Sequence, residues 1–256
     1  MTPAALLPAP APPPAADPAP ALSVVVPVLN EAENVIPLLD EIEGALAARG
    51  GFEVLFVDDG STDGTAAALA PRLCDRVRLV RHAERRGQSA AVRTGVRNAR
   101  GAWIATLDGD GQNDPADIPA LLDRRDAGLS LVAGLRRVRN DSLSKRLASR
   151  LANGVRDAIL RDGCRDSGCG LKLFRRDAFL DLPAFVALHR FLPALFLSQG
   201  HGVAYVDVGH RPRRAGTSKY GNLRRALVGI LDLAGVFWLQ RRAVRPTAIT
   251  EDRPGP

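Results

Sequence analysis

From Leu22 onward the chain alternates two hydrophobic rhythms. Short β-branched runs such as Ser23-Val24-Val25-Val26-Pro27-Val28 read as buried parallel strands. Between them lie segments with helical signals. Asn30, with Glu33 three residues on, resembles a capping box and predicts a helix to about Ala48, ended by Gly50-Gly51. Residues 52–57 predict the second strand, and Ser61-Thr62-Asp63-Gly64 starts another helix. Residues 77–80 predict a third strand, 88–99 a helix and 102–107 a fourth strand. Asp114-Pro115 fits an N-cap followed by proline at the first helical position. Residues 130–133 and 203–208 read as further strands. Strands alternating with helices predict an α/β fold: a mostly parallel sheet with helices on both faces.

The pattern changes after Gly134. Arg136, Arg137, Arg139, Lys145, Arg146 and Arg150 crowd a short stretch, while Leu143, Leu147, Leu151, Val155 and Ile159 recur every four residues. A basic helix with an apolar stripe over 142–160 is the pattern of a helix lying in a membrane interface. A second apolar segment begins at Ala226, contains Asp232 and ends at Gln240-Arg241-Arg242. It is too short to span a bilayer and suits an interfacial or core helix, with Trp238 at headgroup depth. Residues 1–20, nearly all Ala and Pro, predict a disordered leader, and 243–256 a disordered tail. The expected organisation is therefore one α/β domain over 21–225 followed by an apolar helix over 226–242.

Charge narrows the partners. The chain carries 35 Lys plus Arg against 28 Asp plus Glu, a net +7, which favours an anionic partner. A nucleic acid is not expected: only 5% of the 256 residues are aromatic, and they do not interleave with the basic ones. Three cysteines, Cys74, Cys164 and Cys169, form neither a disulfide framework nor a zinc spacing. With no long apolar run and no signal-peptide pattern, the expected location is cytoplasmic, peripheral on the cytoplasmic face of a membrane.

Candidate chemistry sits where strands end. In open α/β sheets, ligands bind outside the carboxyl ends of the strands. Here those ends carry Asn30-Glu31, Asp58-Asp59 and Asp108-Gly109-Asp110. Asp108, Asp110 and the Gln112 amide are hard oxygen donors suited to Mg²⁺ or Mn²⁺, completed by substrate phosphates and water. Asp58 and Asp59 can receive the ribose or base of a nucleoside. The basic loop from Arg211 to Gly221 follows the strand at 203–208, and its cations can close over a diphosphate.

Four motifs occur together and in order: Val26-Pro27-Val28-Leu29-Asn30-Glu31, Asp58-Asp59-Gly60-Ser61-Thr62-Asp63-Gly64, Asp108-Gly109-Asp110-Gly111-Gln112 and Gly216-Thr217-Ser218-Lys219. On these the chain resembles the inverting family 2 glycosyltransferases of the dolichol-phosphate mannose synthase and polyprenyl-phosphate sugar transferase type. The resemblance covers residues 23–239 and implies a GT-A fold. It implies that Pro27, Leu29, Glu31, Val57 and Asp59 line the nucleoside pocket. Asp108, Asp110 and Gln112 would be the metal group, with Gly109 against the donor. Arg136 would meet the donor sugar or phosphate, Arg213 and Lys219 the diphosphate, and Arg146 and Ser149 the lipid phosphate. At Gly170 and Leu171 the chain departs from the family pattern, which has an aromatic there.

The reaction implied is transfer of a sugar from a nucleoside-diphosphate sugar, GDP-mannose or a UDP-sugar, to a polyprenyl phosphate with inversion. A phosphate monoester is largely ionised at neutral pH, with a second pKa near ~6, so it needs no general base. A glycan acceptor would need one, and no well-placed histidine stands out. A non-catalytic nucleotide-sugar-binding subunit would not need intact Asp108, Asp110 and Gln112. A sugar-1-phosphate nucleotidyltransferase would carry a Gly-rich phosphate loop where this chain has Leu29-Asn30-Glu31. A small membrane partner or a homo-oligomer is compatible with this reading.

Overall fold

The computed structural model describes residues 20–137, 154–212 and 222–244, with side chains from residue 229 onward in the last stretch. Seven strands form one sheet in the order β3-β2-β1-β4-β6-β5-β7. They are β1 Leu22–Val28, β2 Phe52–Asp58, β3 Val77–Arg81, β4 Trp103–Thr106, β5 Leu129–Arg136, β6 Lys172–Arg175 and β7 Gly202–Val208. β1 pairs in parallel with β2 and β4, β2 with β3, and β5 with β7. β6 runs antiparallel to both β4 and β5, so it enters the sheet from the edge where its neighbours end.

Two apolar layers cover the sheet. On one face Val24, Val26, Val54 and Phe56 pack with Val35, Leu38, Leu39 and Ile42 of α1 (Val35–Leu46) and with Ile118 and Leu121 of α4 (Ile118–Asp123). On the other, Val25, Leu55 and Val57 meet Ala91, Val92 and Val96 of α3 (Gln88–Asn98). Phe174 of β6 joins Phe179 of α6 (Arg176–Leu180) and Phe196 of α7 (Leu192–Ser198) in that second layer. Helix α2 is Thr65–Leu69, α5 is helical over 154–160, and α8 is Asn222–Arg242. β1 and β2 are buried along almost their whole length, as unbroken β-branched runs require.

The six expected strands are all present, and Gly50 and Gly51 end α1 with φ of +58° and +54°. Asp114 caps the 3₁₀ turn at Pro115–Asp117 by accepting from the Ala116 N–H. Two expectations need correction. Asn30 does not cap α1, which starts at Val35. It sits in the left-handed region at φ +53°, accepts from the Thr62 N–H through Oδ1 and donates its own N–H to Ser61 Oγ. It thus stitches the loops after β1 and β2, a contact 31 residues away in sequence that outweighs a local cap. Second, β6 and helices α6 and α7 escaped the hydrophobic pattern. Lys172 opens β6, and four residues are too few to show a period.

Of the basic helix expected over 142–160, residues up to 153 lie outside the described ones. Its end, α5, exposes Val155 and Ile159. The leader, the 243–256 tail beyond Val244, Arg146, Ser149, Arg213 and Lys219 also lie outside the described residues.

Candidate active site

The C-terminal ends of β1, β2, β4 and β5 and the entry to β6 meet at one edge of the sheet. The chain after β4 turns sharply there. The Gln112 N–H donates to Asp110 Oδ1 at 3.1 Å, and the Asp108 N–H donates to Asn113 Oδ1 at 3.2 Å. These bonds place Asp108, Asp110 and Gln112 on a single turn, as their spacing predicts. Gly109 lies against β1: a Cβ there would come within 2.7 Å of Val28 Cγ1 and 3.0 Å of the Pro27 carbonyl oxygen. Among the described residues, no three His, Cys, Asp or Glu side chains gather into a metal cage.

Asp108 is the electrostatic focus. Burial, then the neighbouring Asp110 carboxylate, push its carboxyl up to about 6, against the pull of Lys172, Arg136 and a hydrogen bond from Gln88. That bond, from Gln88 Nε2 to Asp108 Oδ1, is 2.7 Å long. Lys172 is buried and bonds the Cys169 carbonyl oxygen. His189 is held neutral, pushed down to about 3 by burial and by the charges of Lys172 and Arg190, and its Nδ1 pairs with Ser89 Oγ at 2.7 Å. The positive charges that act on Asp108 are thus those of Lys172 and Arg136. Lys172, Gln88 and His189 were missed in the sequence. The one usable signal was a lysine inside the apolar run Leu171-Lys172-Leu173-Phe174.

Gly170 lies directly against the Asp108 carboxylate. A Cβ on Gly170 would lie 2.4 Å from Asp108 Oδ2 and 2.5 Å from its Cγ. Gly170→Ala should therefore displace the Asp108 carboxylate and lower turnover by about 10²-fold, since ångström-scale misplacement costs that much. Steady-state assays beside a thermal melt check this, and an unaltered rate would refute it.

Asp59 is held by three protein groups. Its carboxylate accepts from the Arg86 and Gly87 N–H groups at 2.8 and 2.7 Å, and His82 Nδ1 lies 2.8 Å from Oδ1. His82 Nε2 in turn meets Thr94 Oγ1 at 2.9 Å. Asp59 thereby fixes the turn that leads into α3 and Gln88. Glu31 accepts from Asn34 Nδ2 at 2.6 Å, and its N–H donates to Thr65 Oγ1. Pro27 and Leu29 are half-buried at the same edge, whereas Val57 is fully buried and packs against Gly95 of α3.

Arg136 ends β5 and forms a two-pronged pair with Asp166: Nε–Oδ2 2.5 Å and Nη2–Oδ1 2.6 Å, with side chains 13% and 8% exposed. Burial opposes the guanidinium charge, but Asp166 and Asp108 more than restore it. The turn through Gly168 packs closely on this pair. The structure thus brings Asp108, Asp110, Gln112, Gly109 and Arg136 to the edge where Pro27, Leu29, Glu31 and Asp59 also lie.

Residues 23–182 match the family model of glycosyl transferase family 2. The chain belongs to that family. It is a glycosyltransferase with a GT-A-like sheet. Among curated relatives it is 37% identical over 235 residues to the dodecaprenyl-phosphate galacturonate synthase of Rhizobium johnstonii, covering 88% of this chain and 69% of that protein. It is 35% identical over 210 residues to the undecaprenyl-phosphate 4-deoxy-4-formamido-L-arabinose transferase of Edwardsiella ictaluri, covering 79% of this chain and 64% of that one. The chain thus spans about two thirds of the length of these relatives. Among solved structures, glucosyl-3-phosphoglycerate synthase from Mycobacterium tuberculosis with Mg²⁺ and UDP superposes at a TM-score of 0.66. It is 22% identical and covers 84% of this chain and 80% of its own, a likeness that speaks to the fold.

Proposed function

We propose that this family 2 glycosyltransferase moves a sugar from a nucleoside-diphosphate donor to the phosphate of a polyprenyl lipid, with inversion, at a membrane surface. The observation that carries the reading is the Asp108–Gln112 turn at the edge shared by β1, β2 and β5, in a chain more than one third identical to polyprenyl-phosphate sugar transferases.

The donor set suits a divalent ion. The Asp110 carboxylate makes Asp108 harder to ionise, so the pair gains from a shared cation, and its hard oxygens match Mg²⁺ or Mn²⁺. With no third acidic ligand nearby among the described residues, the remaining positions would fall to diphosphate oxygens and water. Asp108, Asp110 and Gln112 would hold the ion, which when bound offsets the charge of the departing diphosphate.

The protein's own residues do the rest. Asp59, which accepts from the Arg86 and Gly87 N–H groups, and Glu31, which accepts from Asn34, shape the pocket for the nucleoside, while a bond from Gln88 holds Asp108 and the charge of Lys172 favours its ionised form. Arg136, kept charged and oriented by Asp166, faces donor phosphate or sugar. The acceptor is already ionised, so no group needs to remove a proton. His189, held neutral and bonded to Ser89, is not needed as a base.

Membrane contact would come through α8. Ile230, Leu231 and Trp238 are 63%, 73% and 60% exposed, and Arg241 and Arg242 follow at its end. Gln240 Nε2 bonds the Leu160 and Ala194 carbonyl oxygens, and Val236 is buried, so the helix is pinned to α5 and α7 with its apolar face outward. Among the described residues, no helix is long and apolar enough to cross a membrane. Leu231→Asp with Trp238→Ala should cut binding to anionic vesicles by at least tenfold, since each buried apolar side chain contributes about 1.5–3 kcal/mol. Vesicle co-sedimentation at low salt reads this; retention equal to wild type would refute the α8 surface.

The decisive assay offers the purified chain a panel of nucleoside-diphosphate sugars with polyprenyl phosphate and Mg²⁺ or Mn²⁺. The expected result is one lipid-linked sugar phosphate of inverted anomeric configuration, lost on chelation. Transfer to water or glycan alone would overturn the reading.

A further inference from the structure

We infer that Arg211 is a positioning residue for the turn that carries Asp108, Asp110 and Gln112. The inference rests on the transferase reading above and adds to it a residue remote in sequence from the proposed ligands.

Arg211 lies three residues beyond β7, yet it is bonded to the turn after β4 on several sides. Its N–H donates to the Gln112 carbonyl oxygen at 2.9 Å, and Gln112 Nε2 reaches the Arg211 carbonyl oxygen at 3.5 Å. Its Nη2 lies 2.6 Å from Asp114 Oδ1 and 3.0 Å from Glu41 Oε2. Two residues earlier, the Gly209 N–H donates to Asp117 Oδ2 at 2.8 Å. One guanidinium therefore joins α1, the segment just past the candidate metal turn, and the chain leaving β7. Those partners are 170 and 97 residues away in sequence, as the numbering of Glu41, Asp114 and Arg211 shows.

The arrangement matters because Gln112 is gripped twice. Its carbonyl and its amide both face Arg211 backbone, so the orientation of the Gln112 side chain depends on where Arg211 sits. The side chain of Arg211 decides that position, being 29% exposed and held between two carboxylates. Isolated exposed ion pairs contribute little to stability. A three-membered, half-buried cluster fastened to main-chain bonds instead restricts geometry. Outer residues that orient ligands typically change metal affinity or activity about 10–100-fold when removed.

The test uses the full chain and two readouts: steady-state kinetics with the active donor, and calorimetric binding of uridine and guanosine diphosphate, each with Mn²⁺. Arg211→Met keeps the aliphatic stem and removes the charge. It should raise the donor KM and the nucleoside-diphosphate dissociation constant by about tenfold, with kcat changed less. Arg211→Lys should recover most of that loss. Asp114→Asn retains the acceptor for the Ala116 N–H and should weaken binding severalfold, so it serves if Arg211→Met does not fold. Combining Asp114→Asn with Arg211→Met should add less than the product of the two effects. A folded Arg211→Met chain with KM and binding within twofold of an active wild type would overturn the inference, as would a lowered melting temperature with unchanged KM. A wild type that neither binds nor transfers would overturn the transferase reading itself, and the inference with it.

Discussion

Asp110→Ala is expected to lower sugar transfer by about 10²–10³-fold, the usual cost of removing one electrostatic contact at developing charge. Asp110 is buried and accepts from the Gln112 N–H, a bond contributing about 1 kcal/mol. That corresponds to a melting shift of roughly 2–4 °C in a chain of this size. Rate and stability should therefore separate. A melt near that of wild type beside a collapsed rate supports a ligand role, whereas a rate within threefold of wild type would remove Asp110 from the site. Asp108→Asn makes a useful companion, because Asp108 is in contact with Gln88 and under the field of Lys172. On balance its surroundings oppose the ionised carboxylate, so Asp108→Asn should lose rate while stability at neutral pH stays near or above that of wild type.

Asp166→Ala should have the largest effect on stability. The carboxylate takes two short bonds from Arg136, and its loss leaves a buried guanidinium without its partner. Breaking such a pair costs about 3–5 kcal/mol, or on the order of 10 °C in melting temperature. Activity should fall with it, since Arg136 loses the partner that orients it. Changing both residues at once, Arg136→Met with Asp166→Leu, should restore much of the stability, because replacing both partners by apolar groups is often neutral. Activity should stay low. A double variant that melts like wild type but does not transfer would separate the structural and chemical roles of Arg136; recovery of transfer would refute its place in the reaction.

Much of this architecture is legible in the amino-acid sequence. Runs such as residues 23–28 and 52–57 carry one polar residue each, Ser23 and Glu53, among apolar ones, so they read as interior strands, and helical signals between them predict a mostly parallel sheet. Once the sheet is parallel, residues just past each strand must share one edge. The convergence of Glu31, Asp59, Asp108 and Asp110 follows from that. Local chemistry suffices for Asp114-Pro115 as well, because a cap involves only neighbouring residues.

Only the tertiary structure decided the rest. Asn30 carries a capping signal but bridges to Ser61 and Thr62. β6 is four residues long, opens with a lysine and runs against its neighbours, and that reversal delivers Asp166, Gly170 and Lys172 to the active edge. Gly170 is required by a carboxylate 62 positions earlier, and Arg211 by partners on two other elements. Short-range patterns in a sequence record which faces must be buried. They carry no information on which distant side chains will meet, because those meetings are set by the order and direction of strands once the two apolar layers have closed on the sheet.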